Sequence, residues 1–425
     1  MFDLDAPAPQ LSLPRAGGFD SSFAFVRDGY TFASRQFDRL GTDIFRTRLG
    51  LSPVTVIRGE DAARIFYEGD RFGRDRSMPT SVTHLLQDDG SVQSLSGTTH
   101  FHRKSMFVRM LANDAALDSL GRIVAEEWRR ALGGWPRQVT LLEEVPQILT
   151  RAALRWTGID PSGTDVPARA REFLSTINNA ATLGPIDWTT RWQRRRTQSW
   201  AKELITNIRR GRTQVGEGSI VGTIALHRDE NDVFPEAQVA AIELINVLRP
   251  VVAVSRFVVF EALALYRHPH VFVAVSTASA ISPEVENFVN EVRRFYPFFP
   301  AIGGRVRREF EWREHDFRLG DWVLLDLYGT NRDPRIWDDP NRFVPDRFIE
   351  WSGDQNTLIP QGGGAMLDGH RCPGERATVA VMAAAVPLLV ETFQQFSVAD
   401  QDLRVSLRRF PSSPESGFVL TRRSP

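Results

Sequence analysis

The segment from Pro360 to Glu375 constrains this chain most, because glycines and basic residues there lead into its only cysteine, Cys372. Pro373 predicts the start of a helix directly after the cysteine, since proline suits the first helical position. The positive end of that helix, together with His370 and Arg371, would favour a thiolate at Cys372. Glycines also let a backbone approach a flat ligand closely and adopt positive φ. A lone cysteine is more often buried and inert, but these neighbours favour a functional thiolate.

Cysteine count, charge and composition exclude several kinds of site and partner. One cysteine excludes an intramolecular disulfide and any multi-cysteine zinc or iron–sulfur site. The 425 residues carry 52 basic and 52 acidic side chains, and this net charge of zero argues against nucleic acid as a partner. Hydrophobic residues at 42% and charged residues at 24% indicate a folded globular protein rather than a disordered one.

The N-terminus and the longest apolar run carry no sign of export or membrane insertion. Met1 to Gly18 lacks a basic start followed by an apolar core, so it does not resemble a signal peptide. The run from Ala377 to Val390 is 14 residues long and contains Pro387, whereas a membrane span needs about 20 residues. A cytoplasmic protein without a membrane anchor is therefore expected.

Hydrophobic periodicity predicts a mainly α chain with a minor β part. No linker rich in proline, glycine or serine separates two halves, so one large domain over 19–425 is expected to follow an N-terminal arm, 1–18. The segment 235–265 is apolar on most sides, as is typical of a buried central helix. Helices are expected over 21–40, 61–67, 98–111, 115–132, 145–156, 166–181, 187–212, 235–265, 283–295 and 373–393, and strands over 44–57, 310–312 and 322–327.

The segment around Cys372 resembles that of the cytochromes P450, in which a cysteine thiolate holds the haem iron. Further matches in the C-terminal third are the pair Glu291 and Arg294, the Phe-Val-Pro-Asp-Arg-Phe segment containing Arg347, and the run 377–390. The resemblance implies a cytochrome P450 fold, a single large domain enclosing haem b, with Cys372 as the axial ligand of the iron. It also implies that Glu291, Arg294 and Arg347 form a structural ion-paired triad.

The central helix departs from the usual pattern of that family. Most members carry an acid–alcohol pair there for proton delivery, whereas Glu243 to Val252 contains no threonine and no acid adjacent to one. Pro250 cannot donate a backbone hydrogen bond to Asn246, so a kink is expected. Arg249 stands among aliphatic residues and needs a partner. Glu243, six positions away, lies off its helical face, which leaves a haem propionate, a distant carboxylate or a substrate carboxylate held bidentately.

The Asn-Val-Leu-Arg-Pro segment, 246–250, resembles that of the bacterial fatty-acid peroxygenases, a P450 branch that uses hydrogen peroxide. The similarity extends to 293–300 and to the glycine triplet 362–364. It implies a medium- to long-chain fatty acid as substrate, hydrogen peroxide as oxidant and no required redox partner. Arg249 would clamp the acid, whose carboxylate would serve as general acid–base. Oxidation is then expected at the α or β carbon, the carbons tethered nearest the iron.

The same resemblance assigns roles upstream. His100 and Lys104, four apart on one helix face, would contact the haem propionates with Arg74, although each could instead be a solvated polar residue. Gln93 matches a position that is glutamine in hydroxylating members and histidine in an alkene-forming one. Leu86 or Gln87 falls where relatives place an apolar residue against the substrate.

The candidate residues fall into three overlapping sets. The catalytic candidates are Arg249, Pro250 and Gln93, the substrate-binding candidates are Arg249, Gln93, Gln87 and Phe298, and the cofactor-binding candidates are Cys372, His100, Lys104, Arg74, Gln361, Gly363 and Arg371. Three alternatives stay open: a fatty-acid decarboxylase that forms terminal alkenes, a monooxygenase fed by redox partners, and a non-catalytic haem sensor.

Overall fold

The computed structural model describes residues 13–75, 77–78, 92, 95, 97–179, 185–366 and 371–424. Helices dominate the described residues, and short strands form the remainder, as the sequence predicts. The helices are Ser22–Asp28 (α1), Phe32–Leu40 (α2), Glu60–Tyr67 (α3), Gly97–Leu111 (α4), Asp114–Gly134 (α5), Leu141–Thr157 (α6), Val166–Asn178 (α7), Pro185–Arg209 (α8), Ile220–Leu226 (α9), Ala237–Ala253 (α10), Ser255–Arg267 (α11), Pro269–Ser276 (α12), Pro283–Phe295 (α13), Leu327–Thr330 (α14) and Glu375–Gln395 (α15).

The strands form a five-stranded sheet in the order β1-β2-β8-β5-β3, a three-stranded sheet β4-β10-β9 and the hairpin β6-β7. β2 and β8 pair in parallel, whereas the other pairs in the largest sheet are antiparallel. The strands are Ile44–Leu49 (β1), Ser52–Ile57 (β2), Phe72–Gly73 (β3), Gln138–Thr140 (β4), Ala301–Val306 (β5), Phe310–Trp312 (β6), His315–Phe317 (β7), Trp322–Asp326 (β8), Phe396–Val398 (β9) and Val419–Arg422 (β10).

The β1–β2 hairpin follows directly from its turn chemistry. Gly50 and Leu51 both have positive φ, 57° and 66°, and such two-residue turns match the twist of antiparallel strands. Side chains alternate between two separate cores, one on each face of the sheet. The described end of the predicted arm also joins this sheet, because the amide of Arg46 donates to the carbonyl of Pro14 over 2.8 Å.

The predicted central helix is two helices, α10 and α11, with Val254 between them. Helix α10 continues past Pro250 and ends one turn later, at Ala253. There the amide of Val254 bonds to the carbonyls of both Pro250 and Val251, over 3.2 and 3.3 Å. The break thus lies one turn after the proline, not at the lost hydrogen bond to Asn246. Both helices are buried along most of their length, as predicted.

Helix α15 is the one described helix that is long and apolar enough to cross a membrane by length and composition. More than half of its apolar window, 56%, is buried inside the protein. It packs against α5, where the indole nitrogen of Trp128 donates to the hydroxyl of Thr392 over 3.1 Å. Such burial is typical of the core helix of a folded protein.

Candidate active site

Cys372 lies directly before the N-terminus of α15. The helix begins at Glu375 rather than at the predicted Pro373, with Gly374 in the capping position. Burial raises the pKa of the Cys372 thiol, against the opposing effects of the Gly374 amide and of Lys104. The Gly374 amide lowers the pKa of this thiol, as expected at a helix terminus, but burial raises it by more. A coordinated metal ion would deprotonate such a thiol outright.

The glycines of the triplet 362–364 pack closely against neighbouring residues of the protein. Gly362 and Gly364 have positive φ, +99° and +72°, as the sequence predicts. A Cβ on Gly364 would stand 2.5 Å from the Cβ of Tyr67, and one on Gly363 would stand 2.8 Å from the carbonyl oxygen of Gln355. The triplet therefore lets the loop pack closely on α3, while contact of Gly363 with a flat ligand stays a prediction.

Three basic side chains that the sequence assigns to haem propionates come together. His100 and Lys104 are buried on α4, and Arg74 is buried after β3. Burial lowers the pKa of His100 to about 4, and the charges of Lys104 and Arg74 act in the same direction. The Nη1 of Arg74 donates to the carbonyl of Gly303 over 2.6 Å, whereas its buried Nε has no partner among the described residues. This site is therefore suited to anionic groups.

Helix α4 also contacts the segment 360–374, which contains Cys372 and is called the cysteine loop below. The Nζ of Lys104 donates to the carbonyl of Arg371 over 3.3 Å. The cluster of Arg74, His100 and Lys104 thus borders the same region of the protein as Cys372, as one prosthetic group would require. Four predicted positions, Leu86, Gln87, Gln93 and His370, lie outside the described residues.

A buried ion-paired network holds the cysteine loop in place, and it was not predicted from the sequence. Glu375 contacts Arg293 of α13 and accepts a bond from the Nε of Arg371 over 2.5 Å. Gln361 donates to the hydroxyl of Thr378 over 2.9 Å. Arg371 thus belongs to this network, and Gln361 joins it by accepting a bond from the Nη2 of Arg293 over 3.5 Å. The contacts of both residues with haem stay predictions. The one feature of the sequence that could have indicated this network is Arg293, a second arginine beside Arg294 on a predicted helix.

Glu291, Arg294 and Arg347 form one buried cluster in the structure. Arg294 donates from Nε and Nη2 to the two oxygens of Glu291 over 2.6 and 2.8 Å, and Arg347 reaches the same carboxylate over 3.3 Å. Arg294 also bonds the carbonyls of Asn331 and Pro340. The cluster thereby ties α13 to the loop that precedes the cysteine segment.

Arg249 is buried on α10, with 6% of its surface exposed. Its Nη2 donates to the Oδ1 of Asn246 over 3.2 Å. Burial lowers the pKa of Arg249 to about 10, so the guanidinium is still charged at neutral pH. The side chain borders a small cavity between α7, α8 and α10, of about 10 Å³, whose lining includes Glu172 and Arg194. That volume holds about one water, so this cavity alone does not accommodate a fatty-acid head group.

Two other predicted residues lie close to this helix. Pro250 occupies the last turn of α10 and is partly exposed. Phe298 is buried and stacks on Phe257 of α11, with ring centroids 4.3 Å apart. The described ring contacts of Phe298 are thus with the core and with Phe299, and its contact with a substrate stays a prediction.

A buried polar chain along α10 leads to Arg249. Glu243 accepts hydrogen bonds from the amide of Val92 over 2.9 Å, from Nη1 of Arg103 over 3.3 Å and from Nδ2 of Asn246 over 3.0 Å. Asn246 in turn accepts from Arg249. Helical spacing argued against Glu243 as a direct partner of Arg249, and that reasoning overlooked Asn246 as an intermediary.

Haem fits the residues around Cys372. Among the described residues, no group of three or more histidine, cysteine or acidic side chains could hold a metal ion. A single thiol at a helix start, bordered by the buried cations Arg74 and Lys104, instead suits a metal carried by an anionic macrocycle. A mainly helical fold with this arrangement defines a haem-thiolate protein.

Comparisons with known proteins identify the family. The family model "Cytochrome P450" matches residues 283–422. The solved structure of cytochrome P450SP alpha in complex with (R)-ibuprofen is 40% identical, covers 95% of this chain and 98% of that one, and superposes with a TM-score of 0.90. Cytochrome P450EX alpha with myristic acid is 35% identical, covers 97% and 98%, and has a TM-score of 0.91. A point variant of cytochrome P450 OleT in complex with arachidonic acid is 29% identical, with the same coverage and TM-score.

The curated relatives match over shorter stretches. A 2-hydroxyisoflavanone synthase of Glycyrrhiza uralensis is 29% identical over 129 residues, which cover 28% of this chain and 24% of the relative. Rhazimal synthase of Alstonia scholaris is 39% identical over 89 residues, 20% of this chain and 17% of the relative. The chain thus matches about a quarter or less of their lengths. On the structural matches, the chain belongs to the cytochrome P450 family, and this membership makes it a haem-containing oxidoreductase.

Proposed function

We propose that this chain is a haem-thiolate peroxygenase that uses hydrogen peroxide to hydroxylate medium- to long-chain fatty acids at the α or β carbon. The observation that carries the proposal is Arg249, a charged guanidinium buried on the central helix α10 beside Pro250. Two structurally similar proteins were solved with fatty acids, myristic and arachidonic acid. Both lines of support point to a carboxylate as the anion that Arg249 receives.

The protein supplies ligation and orientation in this proposal. Cys372 would hold the haem iron, and Arg74, His100 and Lys104 would hold the propionates. When bound, the haem supplies the oxidising chemistry, and a thiolate ligand favours cleavage of an O–O bond. The buried network of Glu375 with Arg293 and Arg371 keeps the cysteine loop fixed on α13.

Arg249 would bind the fatty-acid carboxylate in a fork of two parallel hydrogen bonds. Residues 243–252 offer no acid–alcohol pair, so the bound carboxylate takes the role of both base and acid. One carboxylate oxygen accepts a proton from hydrogen peroxide and then gives it to the oxygen that leaves as water. A carboxylate held by Arg249 would tether the α and β carbons nearest the haem, and oxidation would therefore occur there.

Replacing Arg249 tests the clamp. Arg249→Ala should retain haem but lose peroxide-driven oxidation of myristic acid, by at least about a hundredfold, because a buried charged anchor is removed. Mass spectrometry of the products would measure the loss, and it would also separate hydroxy acids from terminal alkenes. Turnover of Arg249→Ala at the wild-type rate would contradict the proposal, as would activity that required an electron-donating partner protein and ignored peroxide.

A short carboxylic acid tests the acid–base role independently. With hexanoic acid present, the wild-type protein should oxidise a substrate that lacks a carboxylate, such as styrene, because the short acid occupies Arg249 and supplies the proton-transferring group. The product would be measured by gas chromatography, with hexanol as the matched additive. Equal rates with hexanoic acid, with hexanol and with no additive would refute the acid–base assignment.

A further inference from the structure

The polar chain of Glu243, Asn246 and Arg249 runs along α10 at successive intervals of three residues, so each member contacts only the next one. All three side chains are buried, with 2%, 9% and 6% of their surfaces exposed. Their links are the 3.0 Å bond from the Nδ2 of Asn246 to Glu243 and the 3.2 Å bond from the Nη2 of Arg249 to the Oδ1 of Asn246. The amide of Asn246 thus stands between a buried acid and a buried guanidinium.

We infer that Glu243 and Asn246 are positioning residues that orient Arg249 toward the substrate carboxylate without neutralising its charge. A carboxylate can only accept hydrogen bonds, so Glu243 must face the NH₂ group of the Asn246 amide. The amide oxygen is then turned toward Arg249, which can only donate. The charge of Glu243 therefore determines which end of the amide the guanidinium meets. This inference rests on the proposed function.

Asn246 has a property that an acidic residue would not provide. A neutral amide oxygen orients the guanidinium without cancelling its positive charge, whereas an aspartate at this position would form an ion pair with it. In a buried site such a pair would compete strongly with an incoming carboxylate. The Asn246 amide thus keeps Glu243 apart from Arg249, the cation that is to bind the carboxylate of the substrate.

Glu243 is itself fixed from a different part of the chain. The Nη1 of Arg103, on α4, and the amide of Val92 both donate to its Oε1, which leaves Oε2 for Asn246. Arg103 is one residue from Lys104 and three from His100, the predicted propionate contacts. The orientation of Arg249 is therefore linked, through one acid, to the helix that borders the haem site.

The experiment measures optical titrations of the holoprotein with myristic acid and with 1-tetradecanol, which has the same chain without the carboxylate. Asn246→Asp should weaken the binding of myristic acid by roughly ten- to hundredfold, the range expected when a charged hydrogen-bonding partner is lost to a competitor. Glu243→Gln should weaken it by a smaller factor, since the Asn246 amide becomes free to turn. Both variants should bind 1-tetradecanol within about twofold of the wild type, which a general distortion of the site would not allow.

A matched control lies at the end of α7. The Oδ1 of Asn178 accepts a hydrogen bond over 2.5 Å from buried Arg256, so Asn178→Asp also places an acid against a buried arginine. This variant should bind myristic acid as the wild type does. In peroxide turnover, Asn246→Asp should raise the KM for myristic acid far more than it lowers kcat, because occupancy of the clamp is impaired.

The outcomes separate this inference from the proposed function. If Arg249→Ala binds myristic acid as tightly as the wild type, the proposed clamp itself is wrong. If Arg249→Ala binds weakly while Asn246→Asp and Glu243→Gln bind like the wild type, the clamp stands and the positioning role is overturned. Should Asn246→Asp fail to hold haem, Glu243→Gln alone decides: unchanged affinity for myristic acid overturns the inference.

Discussion

At the scale of single residues, Glu261 shows how strongly burial acts on one acid. It lies on α11 with no exposed surface, and neither carboxylate oxygen has a hydrogen-bond partner among the described residues. Burial raises the pKa of Glu261 well above its ordinary value. The folded protein therefore retains a proton on Glu261 at pH values where the unfolded chain has already released it.

We predict that Glu261→Gln flattens the pH dependence of stability. In the unfolded chain a glutamate ionises near pH ~4.3, so the wild-type protein gains most from this group below that pH. As the pH rises toward the folded pKa, it should lose up to about 1.4 kcal/mol of unfolding free energy per pH unit. Glutamine releases no proton, so the thermal midpoint of the variant should fall less as the pH is raised.

Glu286→Gln is the control for this prediction, because Glu286 is an exposed glutamate on α13. Its thermal midpoint should follow the wild-type profile. If the profile of Glu261→Gln also runs parallel to that of the wild type, Glu261 does not keep its proton in the folded protein.

The residues of the candidate site differ in how strong a signal each one gives in the sequence. Arg249 and Cys372 were conspicuous, because a charge in an apolar helix and a lone cysteine before a helix are local patterns. The roles of Arg293 and Glu375 were not predicted, since they depend on contact between helices about 80 residues apart in the chain. Asn246 was missed for a different reason: as an uncharged residue on an apolar helix, it gives no signal until both of its neighbours are located.

At the scale of elements, α13 and the start of α15 are joined by the Glu375 network. Glu375 and Arg293 are both nearly fully buried, and Arg371 completes the network. Removing one partner of a buried ion pair leaves an uncompensated charge and typically costs about 3–5 kcal/mol. The position of the cysteine loop, and so of the proposed iron ligand, depends on this contact.

We predict that Glu375→Gln releases haem faster than the wild type, by about tenfold or more, because loss of such supporting contacts usually weakens metal sites by that amount. The rate of haem transfer to excess apomyoglobin would measure it. Glu391→Gln is a matched control on the same helix, where Glu391 pairs with Arg129 at the surface. Equal rates for Glu375→Gln and Glu391→Gln would show that the buried network does not hold the loop.

At the scale of the whole molecule, the fold class and most helices could be predicted, and α13 was predicted with its observed bounds. Strand β5 was not, because Gly303 and Gly304 are typical of a loop. The structure explains these glycines: a Cβ on Gly303 would stand 1.8 Å from the carbonyl oxygen of Ser77, and one on Gly304 2.9 Å from the ring of Phe66. These glycines allow neighbouring backbone and side chains to approach the strand closely. In a single sequence, such glycines cannot be distinguished from glycines that form a turn.

Burial of α15 leads to a prediction for the whole protein. Because this apolar helix packs against α5 and within the core, we expect the holoprotein to stay in the supernatant after ultracentrifugation of a detergent-free lysate. Immunoblotting of pellet and supernatant would measure the distribution, with a known membrane-spanning protein as reference. Recovery of the chain mainly in a pellet that detergent redissolves would contradict the core assignment of α15.

The single cysteine described at the start has a practical consequence. Since Cys372 carries the only sulfhydryl of the chain, and iron coordination would consume it, any maleimide dye that attaches to a native preparation counts molecules that lack their prosthetic group. No other thiol competes for the label. Maleimide labelling would therefore measure the fraction of molecules that lack haem, without an activity assay and without absorbance in the Soret region.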